Sequence, residues 1–269
     1  AFHETLHMTI AAYIATGFAV AGIHALMLLR DRTNPFHRKG LAIALALGGL
    51  AAIVQPLSGD FAAREVARLQ PLKMAAFEGL FRTQRGAPLA IGGIPDVKEH
   101  RLRYGIEIPD LLSLLTYHDP NAVVRGLDSF PQKDWPSPLA VVHIAFQIMV
   151  GAGLAMAGLA LWAAFLLWRK RTIFETRLFL YALGAATPLG VIAVEAGWVV
   201  TEVGRQPWII YNIFRTADAV TPMQGLIVTF SVFTALYLFL AITVAYMMWL
   251  QVMRSPTEKE LAAAAAGGR

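Results

Sequence analysis

Long apolar runs alternate with short charged ones along this chain, and the lengths of the apolar runs predict its architecture. Five are long enough to cross a bilayer, which takes roughly 20 helical residues: about 8–29, 40–57, 139–168, 178–200 and 223–253. The pattern predicts an all-α transmembrane fold with five membrane-spanning helices. The connections RDRTNPFHRK (30–39) and RKRTIFETR (169–177) are short and basic, and the tail after Arg254 adds further Lys and Arg. The positive-inside rule puts these three in the cytoplasm. The N-terminus, residues 58–138 and the 203–221 loop then face the other side. The expected divisions are 1–57, two transmembrane helices; 58–138, an outer loop; 139–253, three transmembrane helices; and 254–269, a cytoplasmic tail.

Composition supports this class, with 57% hydrophobic and only 15% charged residues. The net charge of +5 sits beside the spans, so it reads as membrane orientation and nucleic-acid binding is set aside. The chain has no cysteine. That excludes disulfides, thiolate metal sites, Fe–S clusters and covalent haem attachment, and leaves cofactors held by His, Met or carboxylate. The opening AFHETLHM has neither an initiator Met nor a signal-peptide pattern, so residues upstream are expected. Punctuation such as GAPLAIGGIPD and the amphipathic run REVARLQPLKMAAFEGLF make 58–138 a functional loop with short helices. The low-complexity tail EKELAAAAAGGR is expected to fray.

The stretch EAGWVVTEVGRQPW (195–208) carries the densest chemistry. Glu195, Trp198 and Glu202 are spaced i, i+3, i+7 and share one helix face. An acid near the bilayer centre costs about 2.5–3.5 kcal/mol, so these carboxylates need a cation, a proton or a metal unless they sit at the solvated interface. Gly204 and Pro207 end the helix, and Arg205 follows as a fixed cation suited to Glu202 or a cofactor propionate. His7 stands at the mouth of the first span, where a neutral imidazole is either a packing residue or an axial haem ligand. Met149 is either filler or the second ligand of such a pair. His143 and Gln147, one turn apart, are either ordinary helix polar residues or hydrogen-bond partners of a cofactor. In KMAAFE, Lys73 and Glu78 lie slightly more than one turn apart, near each other but not stacked.

Together these pieces resemble subunit I of the cytochrome bd-type quinol oxidases. The motif EAGWxxxExGRQPW carries most of the likeness. KMAAFE, GIPD (93–96), FQIMVGAG (146–153) and the first-span His followed by Thr16 and Gly17 support it. The resemblance implies the last five helices of a nine-helix subunit, with 58–138 as a short periplasmic quinol-binding loop. It implies that His7 and Met149 ligate a low-spin haem b, and that Glu202 ligates a high-spin haem b. It places Trp198 between the haems of the oxygen-reducing pair and Arg205 on a propionate. Lys73 and Glu78 take the place of the quinol-oxidising pair, with Glu78 as proton acceptor. The third haem is haem d or another haem b. The implied activity is oxidation of quinol and reduction of oxygen to water, forming a proton gradient without pumping, in the bacterial inner membrane. The implied partners are subunit II, a small single-helix subunit, membrane lipid and the first four helices of subunit I.

Two departures qualify the likeness. Gln147 stands where the family often has an Arg that favours the reduced low-spin haem, so a lower potential is expected, as is kinship with the cyanide-insensitive branch. The first four helices carry the His ligand of the oxygen site, so this chain alone is not expected to be a working oxidase. Two other classes compete: a non-redox transporter or channel subunit using Glu195 and Glu202 as a proton or ion site, and an inactive truncated scaffold.

Overall fold

The computed structural model describes residues 2–170 and 172–267. Arg171 in the second basic connection, the first residue of AFHETLHM and the last two residues of the tail lie outside the described residues. The helices are α1 (Phe2–Arg30), α2 (Pro35–Leu69), α3 (Pro71–Glu78), α4 (Leu111–Tyr117), α5 (Leu139–Trp168), α6 (Arg177–Ala185), α7 (Leu189–Glu202), α8 (Leu226–Met253) and α9 (Glu258–Gly267). Five stretches are long and apolar enough to cross a membrane: α1, α2, α5, α6 continued by α7, and α8. The predicted five-span helical architecture is therefore present.

Its details differ from the sequence reading in three places. The second helix does not stop near residue 57 but runs through Pro56 to Leu69. Beyond the apolar run it is held by ion pairs at helical spacing, Asp60 with Arg64 and Glu65 with Arg68. It ends at Gln70, before Pro71. The fourth span is two helices, interrupted at residues 186–188, where Pro188 supplies no amide to the ladder. The tail expected to fray is helical over Glu258–Gly267, as its run of alanines favours.

The loop between α2 and α5 adds three small antiparallel ladders to α3 and α4. Strand β1 (Gln84–Arg85) pairs with β6 (Val123–Val124), β2 (Leu89–Ile91) with β5 (Ile106–Ile108), and β3 (Ile94–Asp96) with β4 (Arg101–Arg103). A fourth, β7 (Trp208–Ile210) with β8 (Phe214–Arg215), follows α7.

Without a hydrophobic drive between helices in lipid, small residues set how closely they approach. A Cβ on Gly17 of α1 would lie 2.5 Å from the Gly48 Cα of α2, and one on Gly190 of α7 would lie 2.5 Å from the Ala15 Cα. At the α6–α7 break, Thr187 Oγ1 fills the space that a side chain on Gly22 would need. Phe18, Leu28, Leu41, Met156, Phe179 and Leu183 form the core of this α1–α2–α5–α6 bundle. A second cluster, including Met74, Phe77, Val142 and Val200, joins α3, α5 and α7 at one end. Helix α8 buries none of its residues in this chain. The segment after it meets the α1–α2 connection, where Asn34 Nδ2 donates to the Pro256 carbonyl at 3.1 Å.

Candidate functional site

The beginnings of α1 and α5 and the ends of α2 and α7 meet at one end of the bundle, the end that the charge pattern puts outside. The contacts of Lys73 with Thr201, His7 with Gln55 and Met149 with Gly197 bring expected site residues together in this half of the bundle. Helix α3 presents Lys73 and Glu78 in different directions, since five residues at 100° each leave them about 140° apart. Lys73 reaches across to α7, where its Nζ donates to the Thr201 carbonyl at 3.4 Å. Burial holds its ammonium below the usual lysine range, an effect that the Glu4 and Glu202 carboxylates oppose.

Glu78 turns inward. It is 5% exposed, and its Oε2 is buried with no hydrogen-bond partner among the described residues. Burial pushes its carboxyl up to about 8, the response expected of an acid removed from water without a compensating cation. The residues on either side are fixed by local geometry. Gly79 adopts a left-handed conformation (φ 68°) that closes α3. Phe77, on the other side of Glu78, stacks on Phe146 of α5 with centroids 4.3 Å apart.

At the end of α7, Arg205 pairs with Glu202 at 2.6 Å across one helical turn. The Arg205 Nε is buried without a partner. Trp198 and Glu195 lie on exposed positions of the same helix, and Trp198 is 62% exposed. The face predicted from the i, i+3, i+7 spacing thus carries two residues open to whatever covers α7, and a third, Glu202, tied to Arg205.

His7 and Met149 stand on different helices and make separate contacts. Gln55 of α2 lays its amide against His7, with Nε2 3.2 Å from the ring Nε2 and 3.3 Å from the His7 carbonyl, to which it donates. Ser58 Oγ lies 3.4 Å from the His7 Nδ1. The Met149 sulfur lies 3.0 Å from the position a Cβ on Gly197 of α7 would take. Gln147 gives both ends of its amide to the outer loop: Nε2 donates to the Ala90 carbonyl at 3.0 Å, and Oε1 accepts from the Gly92 amide at 3.1 Å.

Two features escaped the sequence reading. Gln55 and Ser58 are lone polar residues in an apolar run, a signal comparable to that of Glu195, and they face His7. Asp60, Arg64 and His118 form a second cluster: Arg64 donates to Asp60 Oδ2 at 2.6 Å and to His118 Nε2 at 2.7 Å. The spacing of Asp60 and Arg64 was legible, but the reach to His118 was not.

Among the described residues, no group of three or more His, Asp or Glu side chains converges to hold a bare metal ion. The donor chemistry is instead one imidazole, one thioether and one carboxylate on three helices, which suits axial ligation of haem iron. Several local features fit such a group. Glycines stand beside two of the three candidate ligands, Gly59 against the His7 ring and Gly197 against the Met149 sulfur. Buried polar atoms without partners, Arg205 Nε and Gln55 Oε1, lie beside Glu202 and His7.

Fold and site define a polytopic helical membrane protein with imidazole, thioether and carboxylate side chains and a buried acid towards one end. Comparison with known proteins gives the family. The family model for cytochrome bd terminal oxidase subunit I matches residues 1–256, and the chain belongs to that family. A Bacillus subtilis (strain 168) protein, provisionally named as a cytochrome bd menaquinol oxidase subunit I, is 36% identical over 95% of this chain and 58% of its own length. Subunit 1 of the cytochrome bd ubiquinol oxidase of the same organism is 31% identical over 81% of this chain and 48% of its own. The solved structure of the bd oxidase from Geobacillus thermodenitrificans superposes with a TM-score of 0.83 and 32% identity, over 94% of this chain and 58% of that one. The chain thus spans about half the length of the curated relatives it matches.

Proposed function

We propose that this chain forms the quinol-oxidising and haem-ligating portion of subunit I in a terminal quinol oxidase that reduces oxygen to water. Family membership supports the reading, and one geometric observation carries it. Lys73, from the loop between α2 and α5, reaches the end of α7 that holds the Glu202–Arg205 pair. The loop expected to meet quinol and the helix expected to meet haem therefore touch.

In this reading His7 and Met149 hold one haem and Glu202 another, and these groups supply one-electron redox chemistry when bound. The chain's own residues handle protons and position. Glu78 is the proton acceptor for quinol, in a pocket dry enough to keep its carboxyl poised near neutrality. Lys73 is a cation on another side of α3, at the end of α7, and Arg205 orients Glu202. Trp198 is an exposed aromatic on the Glu202 face, suited to packing against a planar group. Residues 58–138 form the outer quinol loop, the basic connections face the cytoplasm, and subunit II and a small single-helix subunit are the partners. The third haem, d or b, belongs to the complete complex.

A reduced-minus-oxidised spectrum of the complex containing this chain tests the reading. Haem b bands are expected, and Met149→Leu should remove the low-spin component alone. A complex without haem b bands would overturn the oxidase reading, and an unaltered Met149→Leu spectrum would withdraw that ligand.

A further inference from the structure

Hydrogen bonds from two consecutive turns of α5 tie the outer loop to that helix, through residues the proposed reaction leaves without a role. His143 has no solvent exposure. Its Nδ1 lies 2.8 Å from the Phe77 carbonyl oxygen and its Nε2 3.1 Å from the Gly92 carbonyl oxygen. One helical turn on, Gln147 binds the Ala90 carbonyl and the Gly92 amide. Gly92 therefore has its N–H bound by Gln147 and its C=O against the His143 ring, whose single N–H in the neutral form donates to either the Gly92 or the Phe77 carbonyl. Between these two residues Phe146 stacks on Phe77. Gly79 completes the arrangement: a side chain there would put its Cβ 3.1 Å from the His143 Nδ1, and its φ of 68° already disfavours one.

Glu78 follows Phe77, whose carbonyl lies against His143 and whose ring stacks on Phe146, and precedes Gly79, whose left-handed turn closes α3 beside the His143 ring. A carboxyl whose Oε2 has no partner of its own takes its position from the backbone on either side. We propose that His143 and Gln147 are positioning residues, which clamp the Glu78 segment and the 90–92 segment to α5 and so fix where the Glu78 carboxyl meets quinol. This inference rests on the quinol-oxidising role of Glu78. It gives Gln147 a role other than cofactor contact, since both ends of its amide bind the loop. It also makes α5 a ruler, because the helix that anchors the loop carries Met149 two residues after Gln147. Misplacing a reacting group by 1 Å costs up to about 100-fold in rate, so the anchor acts on turnover without touching substrate.

The test uses the membrane complex containing the full chain, with Gln147→Leu, Gln147→Glu and Glu78→Gln. Gln147→Leu should lower kcat with quinol by about 10- to 100-fold, leave KM nearly unchanged, and leave the haem bands intact. Hydrogen exchange should quicken in peptides covering 88–96. Gln147→Glu keeps an acceptor for the Gly92 amide, so it should restore much of the protection and part of kcat. Normal turnover, or unchanged exchange in 88–96, in Gln147→Leu would overturn the clamp. So would loss of haem bands with the loop still protected, which would assign Gln147 to the cofactor. If Glu78→Gln slows turnover while Gln147→Leu does not, the clamp falls and the role of Glu78 stands. If Gln147→Leu loosens the loop and slows turnover while Glu78→Gln does neither, the role of Glu78 falls and the 143–147 anchor stands.

Discussion

Glu78 should make quinol oxidation depend steeply on pH in a range where an exposed glutamate would not. Its carboxyl is pushed from the usual 4.5 to about 8 by burial. About one carboxyl in ten is then ionised at pH 7 and about one in a hundred at pH 6. If the ionised form takes the quinol proton, kcat should rise about tenfold per pH unit below 8 and level off above it. The same shift sets a stability trend. The folded state binds this proton more tightly than the unfolded chain, so its stabilising effect is fully present below pH 4.5 and is lost as pH rises towards 8. That displacement corresponds to a loss of about 5 kcal/mol once the pH exceeds 8. Glu78→Gln should remove both effects, giving a flat, low rate and a smaller decline in heat resistance between pH 5 and 8. The assay is oxygen uptake by the complex in nanodiscs with excess quinol, from pH 6 to 9 at constant ionic strength, with the haem spectrum recorded at each pH. A wild-type rate that is level across this range would refute the reasoning. So would a Glu78→Gln variant that keeps the alkaline rise.

Other substitutions separate ligation from packing. Arg205→Leu removes the partner of Glu202, but both side chains are more than a third exposed, so stability should change by no more than about 1 kcal/mol. Haem content should nevertheless fall, and a full haem complement by pyridine haemochrome assay would remove Arg205 from the site. Gly17→Val drives a side chain into the Gly48 backbone and should destabilise the bundle by about 1–3 kcal/mol. Heat-inactivation midpoints equal to wild type would show that α1 and α2 separate freely.

What the sequence made legible, and what it hid, follows from the range of the interactions involved. Helical spacing exposed the Glu195–Trp198–Glu202 face, and the GRQPW turn announced Arg205 three residues after Glu202, because both are local. The far end of α2 was misread because leaving the bilayer looks like leaving the helix. Its ladder in fact continues under Asp60–Arg64 and Glu65–Arg68. The break at Pro188 was written in the sequence but masked by the apolar run around it. Contacts between distant segments left no such trace: Gln55 on His7, Arg64 on His118, and the 90–92 loop on His143 and Gln147.

Those distant contacts explain how one end of the bundle carries its polar chemistry. Apolar surroundings penalise each unsatisfied polar group, and the two glutamates meet that penalty in opposite ways. Glu202 stays at the surface and takes Arg205 as a partner. Glu78 is buried without one and retains its proton to about pH 8. An ion-paired carboxylate suits the ligation proposed for Glu202, whereas an acid that titrates near the working pH suits the proton exchange proposed for Glu78. Exchanging their surroundings would exchange those aptitudes, which is why the backbone clamp around Glu78 matters as much as the carboxyl it holds.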